Sequence, residues 1–230
     1  MMFAKQRSDQ PKRPQAPPPV FEDPLGDEWA NTLTHAASCL VAALGWLGML
    51  WLAKDKPLGL QAAVVAYMTS VVAVFFFSTL SHAIYEPHRR QRLRAWDQGT
   101  IYLMIAGTYT PFAWAFGGQY RLLLMAFLWS VALLGFTSKV IVLHRVYGIT
   151  TSTYLLLGWV PAIFLGPQCP LQCVLGMAAG GIVYTIGVGF LILDHRRKYF
   201  HATWHLLVLF AATVHYAAIV WFVVAPADSG

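Results

Sequence analysis

Seven long apolar segments constrain this chain more than any other feature of its sequence. They cover residues 33–53, 61–85, 98–117, 122–143, 149–166, 172–193 and 200–224. A helix needs about 20 residues to cross the hydrocarbon of a bilayer, and each segment is near that length. The segments also lack the two-residue alternation of a barrel strand and exceed its ~9–11 residues. We therefore predict an all-α membrane protein, a bundle of seven transmembrane helices within residues 25–225.

The composition supports a lipid environment and gives no reason to expect a nucleic-acid partner. Only 11% of the 230 residues are charged, against about 25% in typical soluble domains. The net charge of +6 comes from basic residues in short clusters between the apolar segments, not along one face. Membrane topology explains such clusters better than nucleic-acid binding does.

The two ends of the chain are predicted to lie outside the bundle. Residues 1–24 are rich in proline and poor in large apolar side chains, so we expect a disordered tail. Residues 226–230 form a short tail at the other end. No cleavable signal peptide is visible, and the first helix is expected to direct insertion.

The distribution of lysine and arginine predicts the orientation. With the N-terminus inside, thirteen of the sixteen basic residues fall on the cytoplasmic side and three, Lys54, Lys56 and Arg121, on the outer side. Because basic residues favour the cytoplasmic side, we expect a cytoplasmic N-terminus and an extracytoplasmic C-terminus.

Four polar residues meet at the predicted cytoplasmic end. His82 ends the second segment, Asp97 precedes the third, and His201 and His205 begin the seventh. Residues four apart on a helix share a face, so His201 and His205 can meet one ion. A third ligand from another helix would leave one open position, as in catalytic zinc sites. For any one histidine alone an interfacial role is the better interpretation, but three histidines and Asp97 at one depth favour a site, with Asp97 as the carboxylate near it.

Other polar residues near these segments have two interpretations each. Asn31, Thr34 and His35 begin the first segment and could line the site, although Asn31 or Thr34 could instead cap a helix. His215 lies about 15 Å deeper than His205, too far to share its metal, and an interhelical hydrogen bond is its favoured role. Gly107–Pro111 suggests close packing with a kink.

In combination, these residues resemble the progestin and adiponectin receptor family, and within it the bacterial hemolysin III-like branch. The matching positions are Glu28, Trp29, Ala30, Asn31, Thr34, His35, Ser78, His82, Asp97, the Gly-Thr-Tyr-Thr-Pro run, His201, His205 and His215. The resemblance covers residues 28–224 and implies a seven-helix bundle in the bacterial inner membrane.

The resemblance also implies a Zn²⁺ site. Its ligands map to His82, His201 and His205, while Asp97 maps to the carboxylate that holds the zinc-bound water and Ser78 to the hydroxyl beside it. Glu28, Asn31, His35 and His215 are candidates to surround these residues. Alkaline ceramidases in the wider superfamily hydrolyse a lipid amide, which implies a membrane lipid as the substrate.

Three functions compete at this point. The leading hypothesis is a zinc-dependent lipid amide hydrolase, and the alternative is a non-catalytic, lipid-responsive regulator or receptor. A pore-forming cytolysin ranks last, because a conducting path needs polar residues through the full thickness and here they gather at one end.

Overall fold

The computed structural model describes residues 24–141 and 147–225. This part of the chain folds into seven α-helices, with short 3₁₀ turns between some of them. Their bounds are α1 Pro24–Ala53, α2 Leu58–Ala83, α3 Pro87–Phe116, α4 Arg121–Val140, α5 Tyr147–Leu165, α6 Leu171–Ile192 and α7 Phe200–Ile219, the last continued by a π-helical turn, Val220–Val224. The prediction of an all-helical protein is confirmed, and the two predicted tails lie outside the described residues except for Pro24.

Prolines mark where several helices begin, because a proline ring suits the first helical turn and lacks an N–H. Pro57 and Pro170 directly precede α2 and α6. Pro87 is the first residue of α3, where Glu86 accepts hydrogen bonds from the backbone N–H groups of His88 and Arg89. Glu86 is therefore an N-cap, in addition to pairing with Arg89 at 3.8 Å.

The first helix begins nine residues before its apolar segment. Asn31 and Thr34 lie inside α1, so the alternative that either caps this helix is wrong. The Thr34 hydroxyl instead donates within its own helix, toward the carbonyls of Ala30 and Asn31. Because α1 begins at Pro24, its first turns, which contain Asp27 and Glu28, are helical and pack with the rest of the bundle.

The helices pack in a ring that the first and last helices close. α1 contacts α2 and α7, α2 contacts α3, α3 contacts α4 and α5, and α6 contacts both α5 and α7. Gly107 allows α2 and α3 to approach closely, since a Cβ there would lie 2.2 Å from Ser70 Oγ. The close packing expected at Gly107–Pro111 is thereby confirmed.

Many large apolar side chains face outward, while several polar side chains are buried among the apolar residues of the interior. On α1, Leu44 and Leu47 are 60% and 66% exposed, whereas His35 and Ser38 are buried. Helices α1, α2, α4, α6 and α7 are long and apolar enough to cross a membrane. These features identify a multi-pass membrane protein, while the count of seven spans and the orientation stay predictions.

Candidate functional site

Four helices bring their polar residues to one end of the bundle. Positions three and four apart lie on one helix face, so each helix presents its set together. The residues are Glu28, Asn31 and His35 on α1, Ser78, Ser81 and His82 on α2, Arg90, Arg94 and Asp97 on α3, and His201 and His205 on α7. The common depth predicted for His82, Asp97, His201 and His205 agrees with this arrangement.

Four imidazoles form the centre of the site. The ring centre of His82 lies 5.2 Å from that of His201 and 5.2 Å from that of His205, and the His201 and His205 centres are 4.5 Å apart. His35 lies 3.6 Å from His205 and 5.9 Å from His82 between ring centres. We call these four residues the histidine cluster.

Each imidazole of the cluster has one ring nitrogen held by a neighbouring group. His82 Nδ1 contacts Glu28 Oε2 at 2.7 Å, and His201 Nδ1 contacts Asp194 Oδ2 at 2.9 Å. The remaining contacts are His205 Nδ1 to Thr34 Oγ1 at 3.3 Å and His35 Nε2 to Ser78 Oγ at 2.7 Å. A hydrogen bond to one nitrogen fixes which nitrogen remains free, the arrangement common around metal-binding histidines.

Glu28 joins α1 to both α2 and α3. Besides its contact with His82, its carboxylate accepts a hydrogen bond from Arg90 and lies 3.7 Å from Arg94. Arg90 also donates to the backbone carbonyl of Ser81, at the end of α2. Glu28 therefore lies beside the cluster, as expected for one of the surrounding residues.

Asp97 lies on the α2 side of the site with two hydroxyls beside it. Ser81 donates to Asp97 Oδ2 at 3.2 Å, and the Ser78 hydroxyl is a further neighbour of the carboxylate. Ser78 thus lies between His35 and Asp97. The two residues assigned to catalysis from the sequence are brought together, although their roles stay predictions.

The residues present fit a zinc ion. His35, His82 and His205 are buried, and each offers a ring nitrogen within 4.8 Å of the others'. Imidazoles that share one tetrahedral zinc at ~2.0–2.1 Å have ring centres roughly 5 Å apart, near the separations among His82, His201 and His205. Neutral imidazole is also a donor that zinc favours. His35 is thus more central than the sequence suggested, and the assignment of His201 stays a prediction.

The remaining candidates lie around or away from the cluster. Asn31 is buried one turn from His35, and its Oδ1 has no hydrogen-bond partner among the described residues. His215 is far from the site and contacts the Met177 carbonyl at 3.0 Å, which confirms the interhelical hydrogen bond.

Sequence reasoning missed the partners of the histidines. Asp194, in the connection between α6 and α7, lies 3.9 Å from His195, but its shorter contact is with His201 at 2.9 Å. Arg90 and Arg94 were counted only as topology-determining charges. Arg90, Arg94 and Asp97 are spaced four and three residues apart, so they share one face of α3. This spacing was the sequence feature that could have linked both arginines to the site.

The comparisons with known proteins agree on one family. Residues 25–216 match the family described as Haemolysin-III related. Hemolysin-3 of Bacillus cereus is 30% identical over 209 residues, covering 88% of this chain and 94% of that protein. The Hemolysin-3 homolog of Bacillus subtilis is 28% identical, with 87% and 96% covered, and the human monocyte to macrophage differentiation factor is 30% identical, with 83% and 82% covered. The chain therefore belongs to the Haemolysin-III related family, the hemolysin III-like branch of the progestin and adiponectin receptors.

Proposed function

We propose that this membrane protein is a zinc-dependent hydrolase of a membrane lipid, acting on an amide-linked acyl chain. The observation that carries the proposal is the histidine cluster, in which each imidazole has one nitrogen held by a partner and a carboxylate lies close by. We further propose seven spans with the N-terminus in the cytoplasm, on the basis of the thirteen-to-three distribution of basic residues. The site then lies at the cytoplasmic face of the bacterial inner membrane.

The histidines would hold the ion, with His82, His201 and His205 as the ligands that the family implies. Zinc bound there would polarise a substrate carbonyl and activate water near neutral pH. Glu28 holds His82 through Nδ1 and leaves Nε2 directed away from the carboxylate. Thr34 and Asp194 do the same for His205 and His201.

Asp97 and Ser78 would handle the proton and the substrate oxygen. Asp97 would accept the proton of the attacking water, because its carboxylate lies on the α2 side of the site beside the Ser78 hydroxyl. A hydroxyl has one proton and two acceptor sites. Ser78 can therefore accept from His35 Nε2 and donate its one proton to Asp97, or to a developing oxyanion once Asp97 has taken up the proton of the water.

An apolar cavity beside the site supports a lipid substrate. It has a volume of about 200 Å³ and lies between α1, α2 and α7, where Ala42, Val71 and Phe75 are among its lining residues. The Phe75 ring centre is 6.0 Å from that of His35, so one lining residue of the cavity lies close to the cluster. An alkyl chain suits such a lining, because nearly all of its surface is apolar.

The test combines metal analysis with lipid mass spectrometry on purified protein. Wild-type protein should carry about one zinc per chain and release fatty acid from ceramides, phospholipids or acyl amides. Asp97→Asn should keep the zinc and lower hydrolysis by ~10²–10⁴-fold, because it removes the general base and keeps the shape. His82→Ala should lose both zinc and activity.

Asp55→Asn is the matched control for Asp97→Asn. Asp55 is exposed in the connection between α1 and α2, far from the site along both helices, and the same substitution there should leave zinc and hydrolysis unchanged. Fully loaded wild-type protein that releases no product would overturn the enzymatic proposal. Loss of zinc from Asp97→Asn would instead make Asp97 a direct ligand.

A non-catalytic regulator is the second candidate, and the placement of the buried histidines favours it. His35, His82 and His205 come from three different helices, so an ion bound by them ties α1, α2 and α7 together. A lipid in the adjoining cavity would then set the packing of these helices. In that case Asp97→Asn alters a lipid-dependent response while wild-type protein forms no product.

A further inference from the structure

We propose that basic side chains at the start of α3 and in the α6–α7 connection bind the phosphate headgroup of an anionic phospholipid. They lie at the same end of the bundle as the histidine cluster but outside it, and their role does not require the ion. The inference therefore goes beyond the proposed hydrolysis. The residues, which we call the basic rim, are Arg89, Arg92, Arg94, Arg196, Arg197 and Lys198.

The first turns of α1 join the two halves of the basic rim. Glu28 Oε1 lies 3.7 Å from Arg94 on α3. Asp27 Oδ1 accepts a hydrogen bond of 3.3 Å from the backbone N–H of Tyr199, the residue after Lys198. Asp27 and Glu28 are consecutive, so the start of α3 and the α6–α7 connection both pack beside the start of α1. The basic rim is therefore one surface and not two separate clusters.

The positive charge of the basic rim is not neutralised by the carboxylates around it. Glu28 is shared between Arg90 and the histidine cluster, and Asp194 contacts the same cluster. Glu86 accepts from two backbone N–H groups at the start of α3. Three exposed arginines of the basic rim have no ion-pair partner among the described residues, namely Arg92, Arg196 and Arg197. An anionic group from outside the protein would compensate this charge.

Exposed aromatic side chains place the basic rim at the depth of lipid headgroups. Tyrosine and tryptophan concentrate where the hydrocarbon of a membrane meets its headgroups. Four such side chains at this end of the bundle are between 38% and 61% exposed, namely Trp29, Tyr85, Trp96 and Tyr199. Lys198 Nζ lies 5.0 Å from the centre of the Tyr199 ring, so basic and aromatic groups share one level. Basic residues grouped at this level attract anionic lipids.

The choice of arginine indicates which headgroup suits the surface. Five of the six residues of the basic rim are arginines, and a guanidinium can donate two parallel hydrogen bonds to the oxygens of one phosphate. Arg89 and Arg92 are three residues apart in α3 and so share a helix face. Phosphatidylcholine carries an ammonium group beside its phosphate, which the basic rim would repel. Phosphatidylglycerol has a phosphate without a compensating cation and is the better match.

The test compares dioctanoyl phosphatidylglycerol with dioctanoyl phosphatidylcholine, which have the same chains and differ in the headgroup. Binding is measured on detergent-solubilised, metal-free protein. We expect wild-type protein to prefer phosphatidylglycerol, and the preference should weaken as salt rises, because salt screens exposed charges. The triple variant Arg92→Gln, Arg196→Gln, Arg197→Gln should bind phosphatidylglycerol at least about tenfold more weakly, since each basic residue near an anionic surface contributes roughly fivefold. Its affinity for phosphatidylcholine should change little.

Two further triple variants separate the position of the charge from its amount and from folding. Lys54→Gln, Lys56→Gln, Arg121→Gln removes the same charge at the opposite end of the bundle and should leave the preference unchanged. Lysine at positions 92, 196 and 197 keeps the charge and holds phosphate as a point charge, so phosphatidylglycerol affinity should stay within about fivefold of wild type. Thermal unfolding should be near wild type for the glutamine and lysine variants of the three exposed arginines.

Three results would overturn the role of the basic rim. The first is equal affinity of wild-type protein for the two lipids. The second is an equal loss of phosphatidylglycerol binding when the charges at the opposite end are removed. The third is competition by glycerol phosphate as strong as that by phosphatidylglycerol, which would make the partner a soluble anion. None of these measurements involves zinc or hydrolysis, so failure here is distinguishable from failure of the proposed function.

Discussion

Replacing Glu28 by glutamine tests whether the first helix orients a ligand on the second. Glu28 Oε2 lies 2.7 Å from His82 Nδ1, and the same carboxylate also accepts from Arg90. Glutamine keeps the size but removes the charge, and its NH₂ group cannot accept from either neighbour. Loss of an outer hydrogen-bond partner typically weakens metal binding ~10–100-fold, which corresponds to about 1.4–2.7 kcal/mol.

The assay is zinc competition with a chelator in detergent-solubilised protein, paired with thermal unfolding of the metal-free form. Glu86→Gln is the matched control, since Glu86 accepts from two backbone N–H groups at the start of α3 and lies outside the histidine cluster. We expect it to lower stability by no more than about 1 kcal/mol, because glutamine keeps one of the two oxygens that accept at the N-cap, while zinc affinity is unchanged.

Two results would refute the reasoning. If Glu28→Gln binds zinc as tightly as wild type, the contact with His82 does not prepare that histidine for metal. If Glu86→Gln weakens zinc binding as much as Glu28→Gln does, the loss of affinity in both variants comes from general destabilisation of the protein and not from a misoriented His82.

Two further predictions concern the bundle itself. A reporter fused after Gly230 should be extracytoplasmic and one inserted within residues 89–94 cytoplasmic, and the opposite pattern would overturn the proposed orientation. Gly107→Ala should destabilise the protein by about 1–3 kcal/mol, because its Cβ would lie 2.2 Å from Ser70 Oγ. Gly189→Ala, where a Cβ meets nothing within 4 Å, should leave thermal unfolding unchanged or raise its midpoint, and equal effects of the two alanines would contradict the close packing.

Most helix positions could be predicted because membrane crossing requires long apolar segments of known length. Helices α5 and α6 begin and end within two residues of the predicted segments. The start of α1 was missed because Asp27 and Glu28 look like a solvated acidic connection. In the folded chain Glu28 pairs with Arg90 and Asp27 accepts from the Tyr199 backbone, so contacts with other helices support this helical turn.

The sequence could predict only those parts of the site that depend on the spacing of residues along a single helix. His201 and His205 share a face by their spacing, and the limits of the second and third apolar segments place His82 and Asp97 at the same depth. The central position of His35 depends on how α1 packs against α2 and α7, which periodicity does not specify. The contact between Asp194 and His201 likewise depends on the path of the α6–α7 connection.

The pairing of the first helix with the last has a consequence for biosynthesis. His35 and His205 lie with ring centres 3.6 Å apart, yet translation at ~5–20 residues per second separates their synthesis by roughly ten to thirty seconds. During this interval the imidazole of α1 can meet Ser78 on α2, but its α7 neighbours do not yet exist. An ion held by the histidines, as proposed, would tie the ring closed only after the final helix has been inserted. A chain truncated before α7 would therefore expose its polar interior side chains to lipid. Membrane quality control can recognise such exposure as the sign of an incomplete protein.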